Sequence, residues 1–152
     1  MSVAELRITY RPDDDGTGQI TATARSGAFS GQGSAWGNPD SVKHAFVAGL
    51  RAFPLTSASP PTVEGGFWSR EKQGSLDQCH LRITIKPLNT RGTLPVHLEL
   101  ASEVQKTPDA DLQNCATIRF LAEYEAVRGF AEQLERVLYG ESEEAVLKGF
   151  TN

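Results

Sequence analysis

The sequence is poor in the patterns that catalytic and cofactor-dependent proteins use. It has two cysteines in 152 residues, too few for a disulfide scaffold, and Cys79 and Cys115 lack the close spacing of a zinc site. No P-loop, nucleophile elbow or His-Glu-x-x-His motif is present. We therefore expect no metal and no cofactor, and an enzyme without a recognisable motif is the third function class, behind the two developed below.

Long apolar runs and an excess of positive charge are missing as well. About 18 consecutive apolar residues would be needed to span a membrane, and the first residues show neither the basic nor the apolar region of a secretory signal. The expected location is therefore the cytoplasm, with no membrane partner. The formal net charge of −4 argues against nucleic-acid binding, which requires basic residues to neutralise phosphates. A cationic partner is easier to accommodate.

A nearly repeated heptad indicates how the chain is organised. Residues 6–12 read LRITYRP and residues 81–87 read LRITIKP. In each, apolar and polar residues alternate with the period of two that is typical of a β-strand with one buried face. With 39% hydrophobic and 22% charged residues, the composition is that of a globular protein. We expect a single domain, 1–152.

The first heptad opens a unit of three strands and a helix over residues 4–53. Residues 13–18 have turn chemistry, and residues 19–25 form the second strand. Phe29 to Trp36 has glycines at alternate positions, which predicts a third strand that something packs against closely. Asn38, a good helix cap, and Pro39 then begin a helix with an apolar stripe that ends before Pro54.

A proline-rich linker, residues 54–64, leads to a second unit over residues 65–152 that repeats this order. Strands are predicted near residues 79–86, 94–100 and 116–122, a helix over Glu125 to Tyr139, and a further helical turn or two in 141–149. The predicted fold is α+β: two βββα units whose three-stranded antiparallel sheets are either joined or packed side by side, with two helices packed on one face. An internal duplication is one interpretation of this order.

The alternation along the first strand of the second unit, near residues 79–86, assigns its polar residues to faces. Cys79 is expected in the core with Leu81 and Ile83, and His80 is expected on the outer face with Arg82. A cysteine hydrolase is thereby disfavoured, because adjacent strand residues point to opposite sides. His97 is placed outward on the next strand.

Charge is distributed unevenly between the predicted strands and the C-terminal region. Six basic residues fall on outward strand positions: Arg7, Arg11, Arg25, Arg82, Lys86 and Arg119. Residues 123–144 contain seven Glu and two Arg. The molecule is therefore expected to have a basic sheet face and an acidic helical face, although Thr and Arg also simply suit exposed strands, and Glu exposed helices.

The third-strand pattern of Phe29 to Trp36, the closing helix FAEQLERVL at residues 130–138 and the order of elements carry a resemblance. The chain resembles the small immunity-like proteins of bacterial polymorphic toxin systems, WapI-type and related uncharacterised families. The resemblance implies a non-catalytic role, in which the protein neutralises a toxin domain by stoichiometric binding.

Two function classes therefore lead. The first is a non-catalytic protein-binding domain, with a basic toxin domain as its partner, that makes contact through Phe67, Trp68, Glu132, Glu135, Glu141, Glu143 and Glu144. The alternative is a domain that binds a small ligand or anion on the basic sheet face, through Arg7, Arg82, Arg119, His80 and His97. A homodimer is compatible with either class.

Overall fold

The structure is a computed structural model that describes residues 3–52, 59–86, 92–105 and 110–151. Across these residues the strands are β1 Val3–Pro12, β2 Gly18–Ser26, β3 Phe29–Gly37, β4 Thr62–Trp68, β5 Leu76–Ile85, β6 Thr93–Ala101, β7 Cys115–Glu123 and β8 Ala145–Phe150. Helix α1 joins an α-helical turn Pro39–Val42, a π-helical segment Lys43–Val47 and a second α-helical turn Ala48–Arg51, and helix α2 is Tyr124–Leu138. A 3₁₀ turn occupies Ala110–Leu112.

The strands form one antiparallel sheet in the order β3-β2-β1-β8-β7-β6-β5-β4. The predicted α+β class is confirmed. Of the two expected arrangements, sheets that are joined or sheets packed side by side, the structure has the joined one, because β8 lies between the two halves. It pairs with β1 over six residues, with Leu6 opposite Leu147, and meets β7 at Leu121 and Phe150.

One core holds the sheet and the helices together. The inward residues of the strands and the apolar sides of α1 and α2 belong to the same buried cluster, in which Phe46 and Phe130 are the largest fully buried side chains. Burying side chains of this kind contributes about 1.5–3 kcal/mol each relative to exposure. The helices thus cover apolar surface that the sheet alone would leave in water.

Strand β3 passes closely over strands β5 and β7. A Cβ atom on Gly31 would lie 2.5 Å from the Cβ of Ala116 in β7, and one on Gly33 would lie 2.2 Å from the backbone oxygen of His80 in β5. No side chain larger than hydrogen fits at such distances. The prediction that the alternate glycines of this strand permit close packing is therefore confirmed.

The start of α1 also follows the sequence. Asn38 Oδ1 accepts hydrogen bonds from the backbone nitrogens of Asp40 and Ser41, at 2.8 and 3.3 Å, and Pro39 takes the first helical position. These bonds satisfy two of the backbone N–H groups that a helix start leaves without partners.

Two predicted boundaries are wrong. A further helical turn or two was expected in residues 141–149, but residues 145–150 form β8, because Ala145 and Leu147 fill the space beside β1. Residues 62–64, assigned to the linker, already belong to β4, which pairs with β5 from Thr62 opposite Thr84. The rest of the predicted linker, except residues 59–61, lies outside the described residues.

A β-bulge reverses the predicted phase at the start of β5. Gly65 pairs with Leu81 and Gly66 pairs with Cys79, so His80 is an extra residue in its strand. His80 and Leu81 are consequently both buried, whereas Cys79 is only half-buried. The expectation that Cys79 lies in the core and His80 on the outer face is wrong. A bulge shifts the alternation by one residue without any change in the apolar pattern downstream.

Candidate functional site

The two heptad arginines lie on the same outer face of the sheet, and each is held by two carboxylates. Arg7 Nε is 2.7 Å from Glu5 Oε2, and its Nη1 is 2.6 Å from Glu144 Oε1. Arg82 repeats the arrangement, with Nε 2.8 Å from Glu64 and Nη1 2.6 Å from Glu99. Hydrogen bonds to these carboxylates raise the pKa of both arginines.

The paired carboxylates change the role that the sequence assigned to the two arginines. Each cluster carries one positive and two negative charges, so neither presents a net positive field to an anion. Arg7 and Arg82 are thus weak candidates for the predicted anion site, and Glu144 is a weak candidate for partner contact.

His80 is unavailable to an outer-face ligand, because it is only 4% exposed. Its Nε2 lies 2.5 Å from Gln78 Oε1, which also accepts from the backbone nitrogen of Val104 at 2.9 Å. Burial lowers the pKa of His80, and Glu103 partly opposes this effect. His80 is therefore part of a buried hydrogen-bonded cluster.

The predicted aromatic contact pair lies on the edge strand β4. The Phe67 ring meets His80 edge to face, with ring centroids 4.7 Å apart. Phe67 thus has a packing role, although 37% of its surface is exposed. Trp68, next along β4, is 47% exposed. Neither residue lines the grooves described below.

The acidic residues of α2 and the following loop divide into two groups. Glu135 bridges the two helices, with Oε1 3.3 Å from Arg51 and 3.6 Å from Lys43. The hydrogen bond from Arg51 is the main cause that lowers the pKa of Glu135. This residue therefore joins helix to helix, whereas Glu132, Glu141 and Glu143 are exposed.

A groove of about 550 Å³ lies where the end of the β1–β2 hairpin meets the C-terminal end of α2. Its apolar lining comes from Tyr10, Pro12, Pro39, Val137 and Leu138, and its acidic lining from Asp13 and Glu143. The end of α2 adds the negative end of the helix dipole. No Lys or Arg is among the lining residues.

Tyr139 forms one wall of this groove and is fixed in place. Its hydroxyl donates a hydrogen bond to Asp40, and Lys43 Nζ lies 5.6 Å from the centre of its ring. The bond to Asp40 is the first cause that raises the pKa of Tyr139 to about 12. The ring is nevertheless 43% exposed, so an ordered aromatic surface faces solvent.

A second groove of about 430 Å³ lies on the other side of the same hairpin loop. It shares Asp13 and Thr17 with the first groove, and adds Asp15 and Trp36, the latter 55% exposed. Lys and Arg are again missing from its lining. The two grooves together form one surface, here called the acidic hairpin surface, comprising Asp13, Asp14, Asp15, Trp36, Tyr139 and Glu143.

The loop between the grooves is ordered by its own hydrogen bonds. Asp15 Oδ1 accepts from the backbone nitrogen of Thr17 at 3.0 Å and from its hydroxyl at 2.6 Å, which lowers the pKa of Asp15. Gly16 has a φ of 86°, a left-handed conformation that favours glycine. The loop therefore holds its carboxylates in a defined arrangement.

Sequence reasoning found only Glu143 of this surface. The three aspartates were interpreted as a solvated turn, and Trp36 as part of a third strand. No local sequence pattern indicates this surface, because only the fold brings the β1–β2 loop beside the end of α2.

Comparisons with known proteins give no family for this chain: no family model, curated protein or solved structure matches it. Among the described residues, no group of three or more His, Cys, Asp or Glu side chains could hold a metal ion. In the same part of the chain, no helix is both long and apolar enough to cross a membrane.

Proposed function

We propose that this protein is a non-catalytic protein-binding domain that binds a basic partner through the acidic hairpin surface. The observation that carries the proposal is the pair of adjoining grooves, which have acidic and aromatic residues in their linings and no basic residue. A partner's Lys or Arg side chain suits such a groove, since its apolar stem can lie on the floor while its charge meets the carboxylates.

The two exposed aromatic residues supply the affinity in this proposal. Trp and Tyr dominate the binding energy of many protein interfaces, because they bury a large area at a small entropic cost. Trp36 and Tyr139 flank the hairpin loop on either side. The aspartates between them accelerate encounter with a basic protein and favour one orientation.

We further propose that the partner is a toxin domain, so that the protein acts as an immunity protein. The support is the resemblance stated above together with the charge of the surface. A nuclease toxin is commonly basic, and a stoichiometric inhibitor needs a complementary surface rather than a catalytic one.

The test uses the protein encoded beside this chain's gene as the partner, in calorimetry and stopped-flow measurements with purified proteins. Trp36→Ala should raise Kd about 30-fold, since truncating an aromatic anchor costs about 2 kcal/mol. Asp14→Lys combined with Glu143→Lys should slow association about tenfold and weaken its dependence on salt.

Matched controls separate this surface from the one assigned by sequence. Glu71→Lys reverses an exposed charge in the turn after β4 and should leave Kd within about twofold. Phe67→Ala, Trp68→Ala and Glu132→Lys probe the original assignment. A loss of binding confined to those three variants would place the binding site at Phe67, Trp68 and Glu132 instead of the acidic hairpin surface. No binding by the wild-type protein would contradict the proposed function.

A further inference from the structure

Three basic residues lie close together on the outer face of the sheet, and none of them belongs to the acidic hairpin surface. The strand register places Thr84 opposite His97, and His97 opposite Arg119. Lys86 follows two residues after Thr84 and therefore shares its face, and its backbone nitrogen donates to Pro95 of β6 at 3.2 Å. Lys86, directly after the end of β5, thus lies beside His97 of β6 and Arg119 of β7.

These three groups are not neutralised by their neighbours. Within the described part of the chain, no carboxylate lies within 4 Å of the charged nitrogens of Lys86 or Arg119, whereas Arg7, Lys43, Arg51 and Arg82 all have such partners. Glu99, the acidic residue that acts on His97, forms an ion pair with Arg82.

The positive charges of Lys86 and Arg119 act on His97. Burial lowers the pKa of His97, and the positive charges of Lys86 and Arg119 lower it further, while Glu99 acts in the opposite direction. Like charges at cross-strand positions are unfavourable for a sheet. An anion placed among the three would remove that repulsion.

A groove of about 520 Å³ begins at Arg119. It is lined by Ser26, Phe29, Thr117, Ile118 and Arg119. The groove lies along the edge of β7 that faces β8, which pairs with β7 only at Leu121. The Ser26 hydroxyl donates a hydrogen bond to the backbone oxygen of Arg119 at 3.3 Å. Phe29 is 71% exposed. An apolar wall therefore stands beside the basic cluster.

We propose that Lys86, His97 and Arg119 bind the phosphate group of a small organic phosphate, whose apolar part lies along Phe29 in this groove. Arginine binds phosphate oxygens in pairs through its planar guanidinium, and lysine adds a compact charge. His97 contributes a further donor, and a full positive charge once protonated. This site is separate from the acidic hairpin surface in both residues and charge.

The experiment follows the ring signals of His97 by NMR during titration with inorganic phosphate, phenyl phosphate and chloride at constant ionic strength. Phosphate should shift the signals saturably and chloride should not. Phenyl phosphate should bind several-fold more tightly than inorganic phosphate, because its ring covers Phe29. Phe29→Ser should abolish that difference.

Variants locate the site. Arg119→Gln should weaken phosphate binding about tenfold, the usual consequence of losing a charged hydrogen-bond partner, and Lys86→Gln should weaken it to a similar or smaller extent. The matched control is Arg25→Gln, which removes an exposed arginine of β2 and should have no effect. Asp14→Lys with Glu143→Lys should also leave phosphate binding intact.

A titration with sulfate tests the effect of protonating His97 alone, because the charge of sulfate does not change between about pH 5 and pH 8. Sulfate should bind more tightly as the pH falls, and by linkage it should raise the pKa of His97. Equal responses to chloride and phosphate, or unchanged binding in folded Arg119→Gln, would overturn the proposal.

Discussion

At the residue scale, Gln78 lies at the centre of a buried cluster of polar groups. The Gln78 side chain donates to the backbone oxygen of Val104 at 3.2 Å and accepts from its nitrogen at 2.9 Å. The same oxygen of Gln78 meets His80. Among the described residues, every buried side-chain N or O atom has a partner. A buried amide that lost these bonds would cost about 1–3 kcal/mol.

His80 should make the stability of the protein depend on pH. Its pKa is lowered in the folded state by burial, so the folded protein favours the neutral ring. The contribution of His80 is complete above its unfolded pKa of about 6.5 and is lost as the pH falls below that value toward the lower folded pKa. Urea denaturation at several pH values from about pH 8 to pH 5 should show that the free energy of unfolding decreases as the pH falls.

Substitutions identify which histidine is responsible. His80→Gln keeps a donor for Gln78 and should flatten the part of the dependence that comes from His80, while His97→Gln should remove another part, since the pKa of His97 is also lowered. His44→Gln, which changes an exposed residue of α1, serves as the control. An unchanged slope in His80→Gln would show that His80 is not the titrating group.

The position of His80 also shows where sequence reasoning fails at this scale. The alternation of Leu81, Ile83 and Ile85 correctly predicts the inward face of β5. It cannot reveal a bulge, because the inserted residue leaves the apolar pattern on either side intact. Three of the four carboxylates that pair with Arg7 and Arg82 were missed for a related reason, since they lie outside the strand of their arginine: Glu64 is in β4, Glu99 is in β6 and Glu144 directly precedes β8.

At the element scale, the packing of β3 depends on two glycines that have no side chain. Gly31 and Gly33 allow its backbone to approach β5 and β7, and the alternation of small residues made that packing predictable. The tail was not predictable in the same way. Glu141, Glu143 and Glu144 suit a helix as well as a loop, and the pairing of β8 with β1 overrides local preference.

Gly33→Ala should destabilise the protein by about 1–3 kcal/mol or more, because the added Cβ would meet the backbone oxygen of His80. Gly129→Ala is the matched control. A Cβ at Gly129, inside α2, meets nothing within 4 Å, so the change should stabilise the protein by up to about 1 kcal/mol. Both values come from urea denaturation, and equal stability of Gly33→Ala and wild type would contradict the close packing of β3.

At the scale of the whole molecule, the sheet is shared between the two halves of the chain. Arg7 and Arg82 occupy equivalent outward positions on one face, as a duplication would require. β4 and β8 have no counterparts among the described residues of the first half, 3–52, so the duplication stays a hypothesis. The sequence predicted β1, β2, β3, β5, β6 and β7, but the pairing of β1 with β8 depends on residues about 140 positions apart, and no local pattern encodes that.

Because the two halves of the chain share one sheet, we predict that neither half folds alone. A fragment of residues 1–58 lacks β8, which pairs with β1, and the strands against which β3 packs. A fragment of residues 59–152 keeps β8 but loses β1, its neighbour over six residue pairs. Each fragment should therefore give the NMR spectrum of an unfolded chain, and coexpression should yield a folded complex of the two. Two βββα units that were independent in folding would each give dispersed spectra, and that outcome would contradict the continuous sheet as the unit of stability.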